Sequence, residues 1–125
     1  MAVVYSLAVR NARLQVVANA IDAGGGGGLL NIGTAGMGVI LSTIVLNSPC
    51  GVVAGGVLTF AGTPLVDLGA AAGGIAAEGQ ITDSVGTVVI SGLTVGLAGA
   101  NMIISQINVS AGDIVTLLAG SITGN

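Results

Sequence analysis

Residues 6–32 read SLAVRNARLQVVANAIDAGGGGGLLNI, and a change of grammar inside that stretch decides the fold. Over 6–23 there is no Gly or Pro, and Leu7, Leu14, Val17, Ala18 and Ile21 share one face at helical spacing. Asn11, Gln15, Asn19 and Asp22 form a polar stripe. The pattern predicts one helix over 6–23, preceded by a short arm at 1–5. Ser6 is placed to cap it, and the glycines at 24–28 end it as a hinge, because such a run supplies the left-handed conformation of a C-terminal cap. Arg10 and Arg13 project from the side opposite the polar stripe, where a simple amphipathic helix keeps apolar residues. Either they snorkel past the core or pair within the subunit, or this helix lies at a subunit boundary and they grip a neighbour.

Beyond the glycines the chain becomes a series of short β-branched segments. Strands are predicted at 29–32, 39–46, 57–60, 86–91, 103–109 and 114–118, with a weaker one at 75–81. Between them stand turn signals with a mechanism: Asn47-Ser48-Pro49, Gly55-Gly56, Thr63-Pro64, Asp83-Ser84-Val85-Gly86 and Ala111-Gly112-Asp113. Asp and Ser bond their own backbone there, Pro fixes φ, and Gly accepts positive φ. Six or seven strands at near-regular spacing predict a mainly β domain over 29–125, sandwich or jelly-roll-like, with the α-helix in front of it. Residues 39–46 lack clean alternation, so cover on both faces is expected there, from the helix or from another subunit.

Charge is scarce. In 125 residues only Arg10 and Arg13 are basic and only Asp22, Asp67, Glu78, Asp83 and Asp113 acidic, with no His, no Lys and no Trp. Zinc ligation, Ser-His-Asp relays, P-loop chemistry and Schiff bases have no parts here. The acids are well separated, and Asp83 and Asp113 occupy positions where turn chemistry wants Asp. No D-x-D-x-D loop for calcium is present, and Gly33-Thr34-Ala35-Gly36-Met37-Gly38 lacks the lysine of a phosphate loop. No catalytic residue, metal ligand or cofactor site is expected. Two cations at a net charge of −3 also leave nothing to displace counterions from nucleic acid.

A membrane-spanning helix needs about 20 predominantly apolar residues, and the best candidate, 35–46, stops after twelve. The first cation follows the apolar N-terminal residues instead of preceding them, which is not the order of a signal peptide. The G-x-x-x-G spacings at 69–73 and 92–96 are what so glycine-rich a chain produces by chance. With 53% apolar residues and 6% charged, against about a quarter charged in an ordinary soluble domain, the surface is expected to be covered by copies of itself or by a larger assembly. Cys50, the single cysteine, reads as a buried small hydrophobe, and without a disulfide framework it points to assembly in a reducing cytoplasm.

Several segments taken in order resemble a known family. Arg10-Asn11-Ala12-Arg13-Leu14, Ala20-Ile21-Asp22-Ala23-Gly24, Ser48-Pro49-Cys50-Gly51, Gly56-Val57-Leu58-Thr59-Phe60, Ile81-Thr82-Asp83-Ser84 with Gly86-Thr87, and the close Ile122-Thr123-Gly124-Asn125 are similar to small proteins encoded in the structural modules of tailed bacteriophages and prophages. The resemblance spans the chain. It implies a virion component on the capsid surface, a head decoration or cement protein, assembled in the bacterial cytoplasm. Members of that family carry a basic and aromatic patch after the helix, where this chain has Leu30-Asn31-Ile32-Gly33-Thr34-Ala35-Gly36. They also place a Trp before the I-T-D-S turn, where this chain has Gly74-Ile75-Ala76-Ala77-Glu78.

A cement role has a physical logic of its own. A small protein that trimerises at three-fold junctions of a shell bridges subunits without chemistry, driven by apolar burial and multiplied by multivalency. The expected partners are the chain itself and a major capsid protein, with no nucleic acid and no membrane. Arg10, Arg13, Leu14, Val17 and Ile21 are the expected contacts to a neighbouring subunit or the shell. Two rivals stand beside this reading: a neck, collar or tail-fibre position, which copy number distinguishes, and a host-facing binding module for carbohydrate or a cell-surface partner. The latter usually needs exposed aromatics, and only Tyr5 and Phe60 are present.

Overall fold

The computed structural model describes residues 6–23, 27–47 and 50–123; the N-terminal arm at 1–5, residues 24–26 of the glycine hinge, Ser48-Pro49 of the first turn and the closing Gly124-Asn125 lie outside the described residues. Helix α1 is Leu7–Ile21, slightly shorter than the 6–23 expected. Ser6 caps it as predicted: its hydroxyl accepts the Val9 N–H at 3.3 Å. At the other end the Asp22 N–H donates to the Ala18 carbonyl at 3.0 Å.

Among the described residues eleven strands follow: β1 (Leu29–Gly33), β2 (Ile40–Val45), β3 (Gly51–Ala54), β4 (Val57–Phe60), β5 (Leu65–Asp67), β6 (Gly74–Ile75), β7 (Glu78–Thr82), β8 (Val88–Gly96), β9 (Met102–Ile104), β10 (Asn108–Val109) and β11 (Val115–Thr123). The protein is therefore mainly β with one N-terminal helix, as the pattern predicts. Strands β3 and β5 were not expected. Each is short and lacks a long β-branched run, and each exists through its partner: β3 through a tight hairpin with β4, β5 through β11. The segments expected at 75–81 and 103–109 are each divided in two, and β8 continues beyond its expected end through Gly92, whose φ of 73° accommodates an irregular register with β7.

The main sheet runs β2-β1-β7-β8-β9-β11-β4-β3, with β5 also on β11, while β10 and β6 form a separate ribbon. The N-terminal half of β11 pairs with β5 and its C-terminal end with β4, so the sheet forks there. The long sheet curls, and its two walls face each other across one core as in a sandwich. Leu30, Ile32, Ile44, Ile81, Ile104 and Leu117 fill that core.

The curl brings β2 back to the strand beside β11. Ser42 is fully buried and its hydroxyl donates to Asp67 Oδ2 at 2.6 Å, while the Ala71 N–H donates to the Leu41 carbonyl at 2.8 Å. A bulge in β2 explains the broken alternation noticed in sequence. Ile32 faces Ser42 but Gly33 faces Ile40, so Leu41 is the extra residue, and Leu41 and Ser42 are buried in succession. Strand β5 reaches this strand through Asp67 and the buried Ser42, while Ile40, Thr43 and Val45 face outward, so within the domain the strand is covered on one face and not on the two expected.

Strands β8 and β9 are parallel, with Val95 opposite Met102. Parallel neighbours usually need a crossover of a dozen or more residues, but here the short coil at 97–101 suffices. Asn101 holds it: its side-chain oxygen accepts from the Thr94 N–H at 3.1 Å and the Thr94 hydroxyl at 3.0 Å, and its own N–H donates back to that hydroxyl oxygen at 2.8 Å. Gly99, at φ 67°, makes the reversal.

Candidate assembly interface

Helix α1 lies across the sheet with three kinds of side chain facing three ways. Leu14, Ala18 and Ile21 point into the core and are almost wholly buried. On one flank, members of the polar stripe clasp the β3–β4 hairpin. Asn11 Oδ1 accepts the Gly56 N–H at 2.8 Å, and Asp22 Oδ1 accepts the Cys50 N–H at 3.0 Å. Gln15 and Asn19, from the same stripe, bond each other at the surface at 3.0 Å. The polar stripe thus supplies two of the bonds that hold the helix on the sheet.

The other flank and the outward face carry the feature relevant to assembly. Val9, Ala12 and Val16 face solvent, with Val16 68% exposed. Beside them a groove of about 560 Å³ runs between the helix and the sheet, walled by Arg13, Val16 and Val17 on one side and by Ile90 of β8 and Ile122 and Thr123 of β11 on the other. The helix therefore carries apolar side chains on its inner and outer faces alike.

Of the residues expected to contact a neighbour, Ile21 is corrected: at 0% exposure it lies wholly in the domain's own core, whereas Leu14, 4% exposed, packs into that core and also lines the groove. Val17 is half-buried and lines the groove, and Arg13 is exposed on its rim. Arg10 is half-buried and takes a different course. Its guanidinium lies over the Gly55-Gly56 turn, so close that a Cβ on Gly56 would meet Arg10 Nη1 at 3.3 Å. The two arginines diverge: Arg10 packs on its own hairpin, and Arg13 lies at the rim of the groove. Val9 and Val16 were missed in sequence, although their seven-residue spacing is the signal of a second apolar stripe.

The carboxylates are engaged in structure. Asp83 Oδ1 accepts the N–H groups of Val85 and Thr87 at 3.0 and 2.9 Å, and Asp113 Oδ2 accepts from the Ser110 N–H and the Gln106 amide at 2.9 and 3.0 Å. Both occupy turns, as expected. Asp67 bonds Ser42 and the Gly69 N–H, and Glu78 Oε1 accepts the Gly36 N–H at 3.3 Å. Among the described residues no three His, Cys, Asp or Glu side chains gather where a metal ion would sit, and no helix is long and apolar enough to cross a membrane. Cys50 is fully buried. Burial, reinforced by the nearby Asp22 carboxylate, pushes its thiol up to about 11.

What fold and surface define is a helix-clasped, curled β domain whose outer surface is unusually apolar. Comparison with protein-family models, with curated proteins and with solved structures gave no match.

Proposed function

We propose that this chain is a non-enzymatic structural protein of a bacteriophage particle, a head decoration or cement protein that forms trimers and binds the major capsid protein by apolar packing. The observation that supports this best is the outward face of α1 with its adjoining groove. The core is already complete beneath the helix, yet Val16 remains exposed beside Ile90 and Ile122, and Val9 is exposed on the same helix. A total accessible surface of 6073 Å² is close to the roughly 5,900 Å² expected of a compact monomer of this mass, so the excess of apolar surface does not come from loose folding. It is the chemistry of a surface meant for other protein. The resemblance to small phage structural proteins supplies the kind of assembly, and the carboxylates engaged in turns and clasps fit a role without chemistry.

The test is the place and number of this chain in purified particles. A cryo-electron-microscopy reconstruction is expected to show it on the outside of the head at three-fold or quasi-three-fold positions, in numbers comparable with the shell subunit. A low copy number confined to the neck or tail would overturn the cement role.

A further inference from the structure

The two ends of the main sheet are treated differently. Strand β2 has the features natural edges use against pairing: the bulge at Leu41, a backing strand in β5, and a carbonyl already taken by the Ala71 N–H. Strand β3 has none of them. Its register with β4 is unbroken from Gly51 opposite Phe60 to Ala54 opposite Val57, and residues 50–57 contain no charge and no proline.

The hairpin geometry states which backbone groups are open. A two-residue turn at Gly55-Gly56 makes Ala54 and Val57 a hydrogen-bonded pair, and bonded pairs alternate along an antiparallel ladder. The Ala61 N–H donating to the Cys50 carbonyl at 2.8 Å is in phase with this. Cys50, Val52 and Ala54 therefore turn their carbonyls toward β4, while the N–H and C=O groups of Gly51 and Val53 point away from the sheet. Among the described residues nothing pairs with them. Val52, between them, is 66% exposed on the outer face.

We propose that β3 pairs antiparallel with β3 of a second copy of this chain, about a two-fold axis through Val52. The register follows from the open groups. Gly51 of each copy faces Val53 of the other in two hydrogen-bonded pairs, and Val52 faces Val52 in the non-bonded pair between them, where side chains approach most closely. A row of main-chain groups spaced in this way is matched by the backbone of another strand. The second copy is the occupant because the segment is self-complementary under the two-fold: uncharged, and with its one large exposed side chain on the axis. This contact is separate from the helix face and needs no particular place in a virion; where trimers exist, it joins them in pairs.

The experiment is disulfide trapping with Val52→Cys in the full chain. Facing residues of a non-bonded pair have Cα atoms about 4.5 Å apart, inside the roughly 4.4–6.8 Å range that a disulfide spans. The control is Thr59→Cys, exposed on β4 directly across from Val52. Its own counterpart would lie three strand spacings away, about 14 Å, too far to bridge. Under mild oxidation the Val52→Cys protein is expected to form covalent dimers about tenfold or more faster than the Thr59→Cys protein. Equal rates would overturn the pairing. As a second reading, Val52→Lys sets two like charges face to face and should halve the mass measured by sedimentation while leaving the circular dichroism spectrum unchanged. A folded Val52→Lys protein of undiminished mass would also overturn it. Neither result bears on where the chain sits in a particle, so failure here and failure of the cement role are read separately.

Discussion

Asp22 and Cys50 join the end of the helix to the start of the hairpin: Asp22 Oδ1 accepts the Cys50 backbone N–H at 3.0 Å, and the Cys50 thiol lies 3.9 Å from the Ala18 carbonyl oxygen. One carboxylate thus ties segments that are 28 positions apart in the chain. Asp22→Ala leaves a partly buried N–H without its acceptor. It should lower the unfolding free energy by about 1–3 kcal/mol, read from urea denaturation, whereas Asp22→Asn, which keeps an acceptor oxygen, should lose less.

The Cys50 thiol gives the protein an alkaline weakness. Its value is about 11 in the folded state against an ordinary 9.0, with burial the main cause and Asp22 the second. Below pH 9 both folded and unfolded chains keep the proton, so stability is unaffected. Between pH 9 and 11 the unfolded chain loses it first, and stability falls by up to about 1.4 kcal/mol per pH unit. Comparing denaturation of the natural protein with that of Cys50→Ala over this window isolates the effect, because the variant lacks that component of the slope.

Closure of the curled sheet depends on Ser42 and Asp67. Ser42→Ala removes a buried hydroxyl whose bond to Asp67 spans 2.6 Å, and the expected loss is about 1–2 kcal/mol. The loss should be local as well as global: hydrogen exchange at the Ala71 amide, which bonds Leu41 beside this clasp, should quicken.

Asn101 bears on the parallel pair β8–β9. With Asn101→Ala the side-chain acceptor for both the N–H and the hydroxyl of Thr94 is gone, and the short coil at 97–101 is held only by its backbone. A destabilisation of about 1–3 kcal/mol is expected, with the amides of Met102 and Ile103 losing protection first.

Val16→Lys separates folding from assembly. The side chain is 68% exposed on the isolated domain, so its replacement should change the urea midpoint little, within about 0.5 kcal/mol. Buried against a neighbour, the same lysine would be an unpaired charge in an apolar contact. The expected outcome is an unchanged denaturation curve with loss of three-fold association, measured by sedimentation.

The fold was legible where the sequence speaks locally. Ser6, the helical spacing of Leu14, Ala18 and Ile21, and the β-branched runs around Ile32 and Leu58 each specify their own conformation. What sequence did not disclose depends on partners distant in the chain. Strand β3 is four residues long and is a strand because of its hairpin with β4. The buried pair Leu41 and Ser42 reflects a bulge and the arrival of Asp67 from β5. At the candidate interface, Ile21 is expected at a contact yet lies wholly in the core, because helical period gives faces but not which face meets the sheet. The same ambiguity concealed Val9 and Val16, the side chains that remain exposed.

The central claim is that this surface is completed by copies of the chain, and the direct measurement is the mass of the purified protein by multi-angle light scattering at micromolar concentration. The account predicts three protomers, or six where trimers pair through β3. A monodisperse monomer would contradict it.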